Sequence, residues 1–456
     1  MTRTCCLFAA FVLIASPAFS AEFYIDPQNG SPTNDGSEAS PWRSLQEVVD
    51  AGLIETQTWD ALPFTKDSVL VPKNENGPIK SGDTIWLKSG DYGDVMIRRQ
   101  YNEDTITIAA AEGHTPRFRS LTIQSGSHWA VKGLHVCPEF GEGPKPYTMI
   151  NFQSHGFGGP VRDMSVEDCV LQSTPDSSGW SAEDWNQRAC NGIGVGGTRI
   201  VIRNNKMTNV DFGISVDASH SLIEHNVVEN FSGDGLRGLG DHSVFQYNLV
   251  KNCYNVDANH DDGFQSWSVG PDGVGSGQVV GIVLRGNTII NREDPNQPHQ
   301  GALQGIGCFD GMFVDWIVEN NVVVVDHYHG ITLMGATGCR FANNTVIDPN
   351  DVRPGPSALR VSNHKRGTPS SGCIVRNNLA SAINVQGENM TIDHNLNVED
   401  PASFFTDFET LDLHLRVGSP AIDAGSSELS PEIDIEGTAR PQGDAIDIGA
   451  YEHFQE

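Results

Sequence analysis

The sequence predicts an all-β chain folded as a parallel solenoid, with a short helical cap at its N-terminal end. An Asn recurs every 21 to 23 residues in the regular part, with an apolar residue three positions before it. A second short apolar strand follows each of these segments. Each coil of such a solenoid buries its apolar side against the next coil. The recurring residues are Asn205, Asn226, Asn248, Asn287, Asn321, Asn344, Asn378 and Asn395.

The N-terminal part of the chain predicts an exported protein with a capped solenoid. Residues 1–20 have a basic start, a short apolar run and a small-residue cleavage site, as in a secretory signal peptide. We therefore expect secretion to the periplasm or the exterior. Ser44 to Glu47 form a capping-box pattern that opens an amphipathic helix from Leu45 to Ala51. Alternating segments after Gly82 predict the first strands.

Two sets of apolar residues predict how the coils pack. Three residues before each recurring Asn stand Ile202, Ile223, Phe245, Leu284, Val318, Phe341, Val375 and Ile392. The second strand supplies the inward column Ile193, Ile214, Leu236, Phe264, Ile306, Ile331 and Leu359. The Asn residues suit a left-handed bend and a stacked amide ladder, so we interpret them as structural.

This pattern resembles the right-handed parallel β-helix family of secreted carbohydrate-active proteins. The opening residues 24–30 and 41–45 look like the first segment of such bacterial proteins, and residues 419–425 and 444–452 like their closing segment. The resemblance implies a right-handed β-helix over residues 21–410 and a closing segment over 411–456. It is specific for the fold and weak for the reaction.

The amino-acid composition limits the classes of molecule that this chain is expected to bind. The chain has a net charge of −29 and a pI of about 4.7, which argues against nucleic acid and anionic membranes. A local group of Arg and His still permits an acidic polysaccharide. Seven cysteines remain after the signal, without the spacing of a zinc site or a small disulfide framework. We expect a monomer.

The outward positions of the second strand predict the site. Period-two alternation turns the residues beside the apolar column outward, and adjacent coils lie about 4.8 Å apart. Charged residues and imidazoles concentrate on the middle coils. The predicted catalytic residues are His260, Arg237, His329, Asp262 and Asp261, and the predicted substrate-binding residues are Asp234, Gln265, Trp267, Gln304, Tyr328 and Arg360.

Individual residues in this patch have alternative interpretations. Asp234 precedes a glycine, where Asp often only caps a turn. Trp267 either packs under a loop or stacks on a sugar ring. Gly263 is expected to let another chain or a substrate approach the backbone. The insertions at residues 271–277 and 294–300 are expected to be loops that frame a cleft.

Three reactions fit the patch, and β-elimination of a uronate glycan such as alginate is the first. Arg237 or Arg360 would neutralise the C6 carboxylate, while His260 or His329 would take the C5 proton. The second is C5 epimerisation. Residues 259–262 and 329–331 are similar to motifs of alginate epimerases of this fold, although Asn259 replaces a proline.

The third reaction is hydrolysis by paired carboxylates, since Asp261–Asp262 and His329–Gly330 resemble elements of polygalacturonase-like hydrolases. Asp234 and Asp262 on neighbouring coils would lie about 5 Å apart, shorter than the roughly 6.5 to 9.5 Å of an inverting site. A non-catalytic carbohydrate-binding or adhesion module is a further alternative. Asp234, Asp261 and Asp262 are also candidate ligands of Ca²⁺, which would replace Arg237 as the neutralising charge.

Overall fold

The computed structural model describes residues 20–350 and 352–454. The predicted signal peptide, residues 1–20, lies outside the described residues except for Ser20. The rest of the chain forms a parallel solenoid whose coils each contribute strands to three faces. The predicted β-solenoid is therefore confirmed. No helix of the described residues is long and apolar enough to cross a membrane.

Face 1 carries the candidate site, and its strands pair in parallel from one coil to the next. Leu236 pairs with Phe264, Phe264 with Ile306, and Ile306 with Ile331. The predicted inward column is buried throughout. The strands of face 1 are Thr148–Gln153, Asn191–Val195, Ile214–Val216, Leu236–Gly238, Asp262–Trp267, Gln304–Asp310, Ile331–Met334, Ala358–Ser362 and Ala382–Val385.

Face 2 follows face 1 in each coil and buries the apolar residues that precede the recurring Asn. Ile392 in the last coil is the exception, with 51 % of its surface exposed, because no further coil covers it. The strands of face 2 are Val161–Glu167, Thr198–Arg203, Leu222–Glu224, Val244–Gln246, Val283–Arg285, Ile317–Glu319, Arg340–Ala342, Ile374–Arg376 and Thr391–Asp393.

Face 3 closes each coil and begins directly after the recurring Asn. Its outer side in the later coils is covered by the chain's C-terminal part, where Phe405, Leu413 and Ile448 pack on Val322 and Leu379. The strands of face 3 are His135–Val136, Val170–Gln172, Lys206–Val210, Val227–Phe231, Leu249–Cys253, Thr288–Ile290, Val322–Val324, Thr345–Ile347, Leu379–Ala380 and Leu396–Asn397.

The N-terminal coils are built from longer elements. Gly90–Ala110 and Pro116–Lys132 are continuous strands that pair in parallel, with irregularities at the corners. The predicted cap is confirmed as the helix Leu45–Asp50, with the Ser44 hydroxyl accepting from the Glu47 amide at 3.2 Å. Leu45 and Val48 belong to the main core. The remaining strands here are Glu22–Ile25, Thr56–Trp59, Leu70–Lys73 and Thr84–Leu87.

Short elements decorate the coils. The helix Ala182–Arg188, which the sequence analysis missed, has a capping box between Ser181 and Asp184. The other helices are Pro401–Phe404 and the single 3₁₀ turns Pro138–Phe140 and Phe408–Thr410. The short strands outside the three faces are Val269–Gly270, Gly273–Val274, Gln278–Val280, Met312–Val314, Ala336–Thr337, Phe405–Asp407 and Asp412–Leu415.

The recurring Asn residues form the predicted amide ladder. The Asn226 Oδ1 atom accepts from the backbone N of Asn205 at 3.0 Å and from its Nδ2 at 2.9 Å. The same pair of bonds repeats to Asn395. The left-handed residue is however one position earlier than predicted, as at His225 and Asn343. The ladder Asn itself points inward, so the bend belongs to the residue before it, which is exposed at His225 and buried at Asn343.

Gly263 faces the core rather than a ligand, which corrects the sequence expectation. A Cβ atom at this position would lie 2.4 Å from Ile289 Cγ2 and 2.8 Å from the Gly305 carbonyl oxygen. The same close approach to face 3 occurs at Gly235 and Gly305. The glycine column therefore lets face 1 pack directly on face 3.

Candidate functional site

The register of face 1 brings the predicted residues onto consecutive coils. Arg237 pairs with Gln265, Gln265 with Gly307, Gly307 with Thr332 and Thr332 with Arg360. A second column contains Asp262 beside Gln304. Residues distant in sequence thus become neighbours along one wall, as the sequence analysis required.

Asp234 and Arg237 form an ion pair at the N-terminal end of this wall. Arg237 Nε donates to Asp234 Oδ2 at 2.5 Å, and the Asp234 side chain is fully buried. The guanidinium carbon lies 3.7 Å from the ring centre of Phe212 and 5.4 Å from that of Trp267. Burial raises the pKa of Asp234, while Arg237 opposes that shift. Asp234 therefore positions Arg237 and does not reach a substrate, contrary to its predicted binding role.

Asp262 is also buried and serves His260. Its Oδ2 atom accepts from Gln265 Nε2 at 2.8 Å and lies 3.5 Å from His260 Nδ1. Burial and the neighbouring Asp234 raise the pKa of Asp262, and His260 and Gln265 act in the opposite direction. With none of its side chain exposed, Asp262 holds His260 in place and does not reach a substrate, which differs from its predicted catalytic role.

His260 is the exposed member of this group. Its side chain is 65 % exposed. The hydrogen bond to Asp262 raises the pKa of His260 to about 9, although partial burial acts in the opposite direction. The imidazole is therefore protonated at neutral pH. It can donate a proton or stabilise a developing negative charge, but it cannot accept a proton there.

His329 has the opposite character. Its ring lies against Phe309 and Tyr328, with centroid distances of 4.6 and 4.2 Å. Burial first, and then the nearby cations and His327, lower the pKa of His329 to about 3. Its Nδ1 atom is 2.9 Å from Thr332 Oγ1. When Nδ1 donates to that hydroxyl, Nε2 is left as a proton acceptor.

Asp261 points away from the wall because adjacent strand residues face opposite sides. Its carboxylate accepts from Asn255 and Asn259 at 3.0 and 3.1 Å, and Cys253 Sγ lies 3.5 Å away. Burial raises the pKa of Asp261 to about 7. Its predicted catalytic role does not fit this placement, since its partners lie in the preceding loop and at the end of the strand Leu249–Cys253. Asp261 instead holds the loop that presents His260.

The remaining predicted residues surround the two histidines. Gln265 bonds Asp262, and Trp267 stands under Arg237. Gln304 is buried, and its Oε1 atom has no hydrogen-bond partner among the described residues. Tyr328 is 39 % exposed, and the Arg360 guanidinium carbon lies 5.3 Å from its ring centre.

Arg360 differs from Arg237 in having no acidic partner. No ion pair or hydrogen bond of its guanidinium occurs within residues 20–350 and 352–454, and its Nε atom is buried. Arg360 is among the cations that lower the pKa of His329. Of the two arginines that the sequence analysis considered for binding a carboxylate, Arg360 is therefore the available one next to the neutral imidazole.

A buried aromatic cluster packs against the loop that leads to His260, and the sequence analysis missed it. Trp185 stacks on Tyr254 with a centroid distance of 4.7 Å and meets Trp180 edge to face at 5.1 Å. His299, in one of the predicted loops, has Nε2 3.1 Å from the Trp180 carbonyl oxygen. This cluster supports the segment from Tyr254 to His260. The sequence contains a sign of this cluster, because Trp180 and Trp185 lie on either side of the capping box Ser181–Asp184. Nothing in the sequence alone links these two residues to the site.

The three candidate calcium ligands do not fit a metal site. Asp234 and Asp262 are fully buried, and Asp261 points to the other side of the strand. Within the described part of the chain, no group of three His, Cys, Asp or Glu side chains is placed to hold a metal ion. The seven described cysteines are buried and unpaired.

Comparison with known proteins agrees with this architecture. Residues 191–366 match the family model described as "Right handed beta helix region". The fold of the described chain is therefore a right-handed β-helix. This β-helix has no match among curated proteins.

Solved structures resemble the β-helix over almost its whole length. The complex of XylC with xylose has a TM-score of 0.55 and 11 % identity, covering 96 % of this chain and 99 % of that one. Pectate lyase Pel9A has a TM-score of 0.49 and 16 % identity, covering 95 and 96 %. A rhamnogalacturonan lyase has a TM-score of 0.43 and 14 % identity, covering 85 and 90 %. At 11 % identity, the likeness to the XylC complex concerns the fold.

Proposed function

We propose that this β-helix protein is a secreted polysaccharide lyase that cleaves a uronate-containing, alginate-like glycan by β-elimination. The observation that carries the proposal is the placement of two imidazoles on the same wall, with His260 held 3.5 Å from the buried Asp262 and His329 held 2.9 Å from Thr332. Two titratable groups whose surroundings separate their pKa values are typical of an acid and a base in one site. The unpaired Arg360 adds the cation that a uronate requires.

In the proposed reaction, Arg360 binds the C6 carboxylate of the sugar and stabilises the negative charge that develops when C5 loses its proton. His329 Nε2 takes that proton. The electron pair forms the C4–C5 double bond as the C4–O bond breaks. His260 donates a proton to the leaving oxygen. Each positioned proton transfer contributes about 10² to 10⁴ in rate.

Hydrolysis by paired carboxylates fits the structure less well. A hydrolase needs one carboxyl group against the glycosidic oxygen and another against water or the sugar. Asp234 and Asp262 have fully buried side chains and already bind Arg237, Gln265 and His260. We therefore keep elimination as the proposal.

The test is to incubate the protein with alginate, polygalacturonate and hyaluronan and to follow unsaturated product and reducing ends together. Elimination produces both signals in equal number. Reducing ends without unsaturation would instead mean hydrolysis, and exchange of the C5 proton without cleavage would mean epimerisation. No change in any polymer would leave the binding-module alternative.

Variants separate site residues from structural ones. We expect His329→Ala and His260→Gln each to lower kcat by at least about 10², as for loss of a positioned acid or base. The matched control is His242→Gln. His242 lies at a corner of face 2, where its ring stacks on His220 at 5.0 Å, and its loss should leave the rate unchanged.

A further inference from the structure

A cavity on the C-terminal side of His329 is cationic, although the protein is strongly acidic. The cavity measures about 430 Å³ and is lined by Tyr328, Arg353, Arg360 and Asn384 together with small and proline residues. Among the residues that the structure describes, its lining contains two guanidinium groups and no carboxylate, whereas the whole sequence has 58 acidic and 29 basic residues.

Both arginines of this cavity are available to a ligand. Other arginines of the later coils are held by carboxylates, as Arg340 is by Glu319 at 2.7 Å and Arg376 by Asp393 at 2.5 Å. Arg353 and Arg360 have no such partner in the described part of the chain. Arg360 also stands over the half-exposed Tyr328 ring. A ring face beside a cation suits a sugar that carries an acid group.

The face ends shortly beyond this cavity. Arg360 pairs with Asn384 in Ala382–Val385, which is the last strand of face 1 in the described residues. Only two coil spacings of about 4.8 Å each therefore lie between the coil of His329 and the end of the face. A long chain lying along the coils has little room on this side.

Carboxylates line the space that follows. A larger cavity of about 1120 Å³ shares Arg353, Gly355 and Pro356 with the first one. Its lining also contains five acidic residues, Asp348, Glu399, Asp400, Asp407 and Glu409, against one further cation, Arg416. A polyanion extended in this direction would meet like charges within a Debye length of about 8 to 10 Å. The two cavities together favour one bound anionic unit followed by a repulsive boundary.

We propose that the Tyr328–Arg353–Arg360–Asn384 cavity binds the terminal anionic sugar of the substrate, so that the enzyme removes short units from a chain end. This inference rests on the proposed function, because it extends the site that carries out the elimination. The cation pair selects an acidic sugar, and the carboxylate boundary prevents the polymer from continuing past it.

The first experiment measures binding and cleavage of tetramannuronate and tetragalacturonate, with mannotetraose as the uncharged control. We expect Arg353→Gln to raise Kd and KM for an acidic tetramer about tenfold, with kcat little changed, as for one charge-assisted hydrogen bond. The control variant Arg366→Gln, in an exposed loop outside the cavity, should leave both values unchanged. The proposal would be overturned if Arg353→Gln bound tetramannuronate and tetragalacturonate as tightly as the wild type does.

The second experiment follows product lengths from the polymer. The wild type should release short products from the first minutes, while the polymer loses viscosity slowly. The double variant Glu399→Gln with Glu409→Gln should cleave the polymer at internal bonds more often than the wild type does. Its rate on the polymer should therefore rise relative to its rate on the acidic tetramer. Exposed Glu388→Gln, away from both cavities, is the control. Products of random length from the wild type would overturn end recognition.

The two proposals fail differently. If no uronate polymer yields unsaturated product, the proposed function falls, but calorimetric binding of the tetramers to wild type and Arg353→Gln still decides whether the cavity binds an acidic sugar. If elimination occurs with random products, the function stands and end recognition falls.

Discussion

The Asp262 carboxylate occupies the space in which a side chain at residue 307 would stand. A Cβ atom added to Gly307 would lie 2.0 Å from Asp262 Oδ1, a distance that no real contact allows. Because the other oxygen of Asp262 faces His260, the absence of a side chain at residue 307 permits the carboxylate position that keeps His260 protonated.

We therefore predict that Gly307→Ala displaces the Asp262 carboxylate and weakens its bond to His260. The pKa of His260 should move down from about 9 toward its ordinary value, and kcat should fall at neutral pH. NMR titration of the His260 ring and initial rates measure the two effects. Gly196→Ala is the control, because its added Cβ would have only ordinary contacts of 3.8 Å or more. Unchanged titration in Gly307→Ala would contradict the assignment.

The pH profile of the proposed lyase should follow the two imidazoles. The reaction needs His329 neutral and His260 protonated. The rate should therefore fall as pH rises through about 9, where His260 loses its proton, and His329 should remain neutral down to about pH 3. In His260→Gln the alkaline limb of kcat/KM should disappear at a lower overall rate. An alkaline limb that survives this substitution would assign it to another group.

The ion pair between Arg237 and Asp234 should contribute mainly to the stability of the folded protein. Arg237→Gln leaves the buried Asp234 carboxylate without its ion pair, and loss of one partner from a buried pair costs about 3 to 5 kcal/mol. The double variant Asp234→Asn with Arg237→Gln should recover much of the loss, since the buried charge is gone. Urea midpoints of the wild type, the single variants Arg237→Gln and Asp234→Asn and the double variant measure this coupling. If the two losses simply add, the pair does not act as a unit.

Substitution of a ladder Asn should lower the stability of the protein, whichever coil the Asn belongs to. Asn321→Ala removes the acceptor of the Asn287 backbone N and Nδ2, at 3.0 Å each, and leaves buried donors unpaired. We expect a loss of about 2 to 3 kcal/mol in the free energy of unfolding. The exposed Asn296 provides the control, since Asn296→Ala should be nearly neutral. A neutral Asn321→Ala would show that the ladder contributes little.

Removal of divalent cations should leave the activity unchanged. The candidate calcium ligands are buried or point to opposite sides of the strand, and Arg360 supplies the positive charge in the proposed reaction. Rates on alginate with and without a chelator, followed by addition of Ca²⁺, make the comparison. Loss of activity on chelation and its recovery with Ca²⁺ would restore calcium as the neutralising charge.

Much of the fold followed from the sequence by itself. The repeated Asn and the apolar residues around it determine the coil length, the inward columns and the register, because strand alternation and coil stacking are local rules that repeat. The same register places Arg237, Gln265 and Arg360 on one wall. Here sequence and structure agree.

The tertiary structure alone decided what each polar side chain can do. Burial and pKa depend on how the loop before Asp261 folds and on segments distant in sequence, such as the residues that cover His329. That is why Asp262 and Asp234 are buried supports and Asp261 points away from the wall, although all three precede or begin strands as predicted. The protonated His260, the neutral His329 and the unpaired Arg360 follow from packing, which no repeat in the sequence specifies.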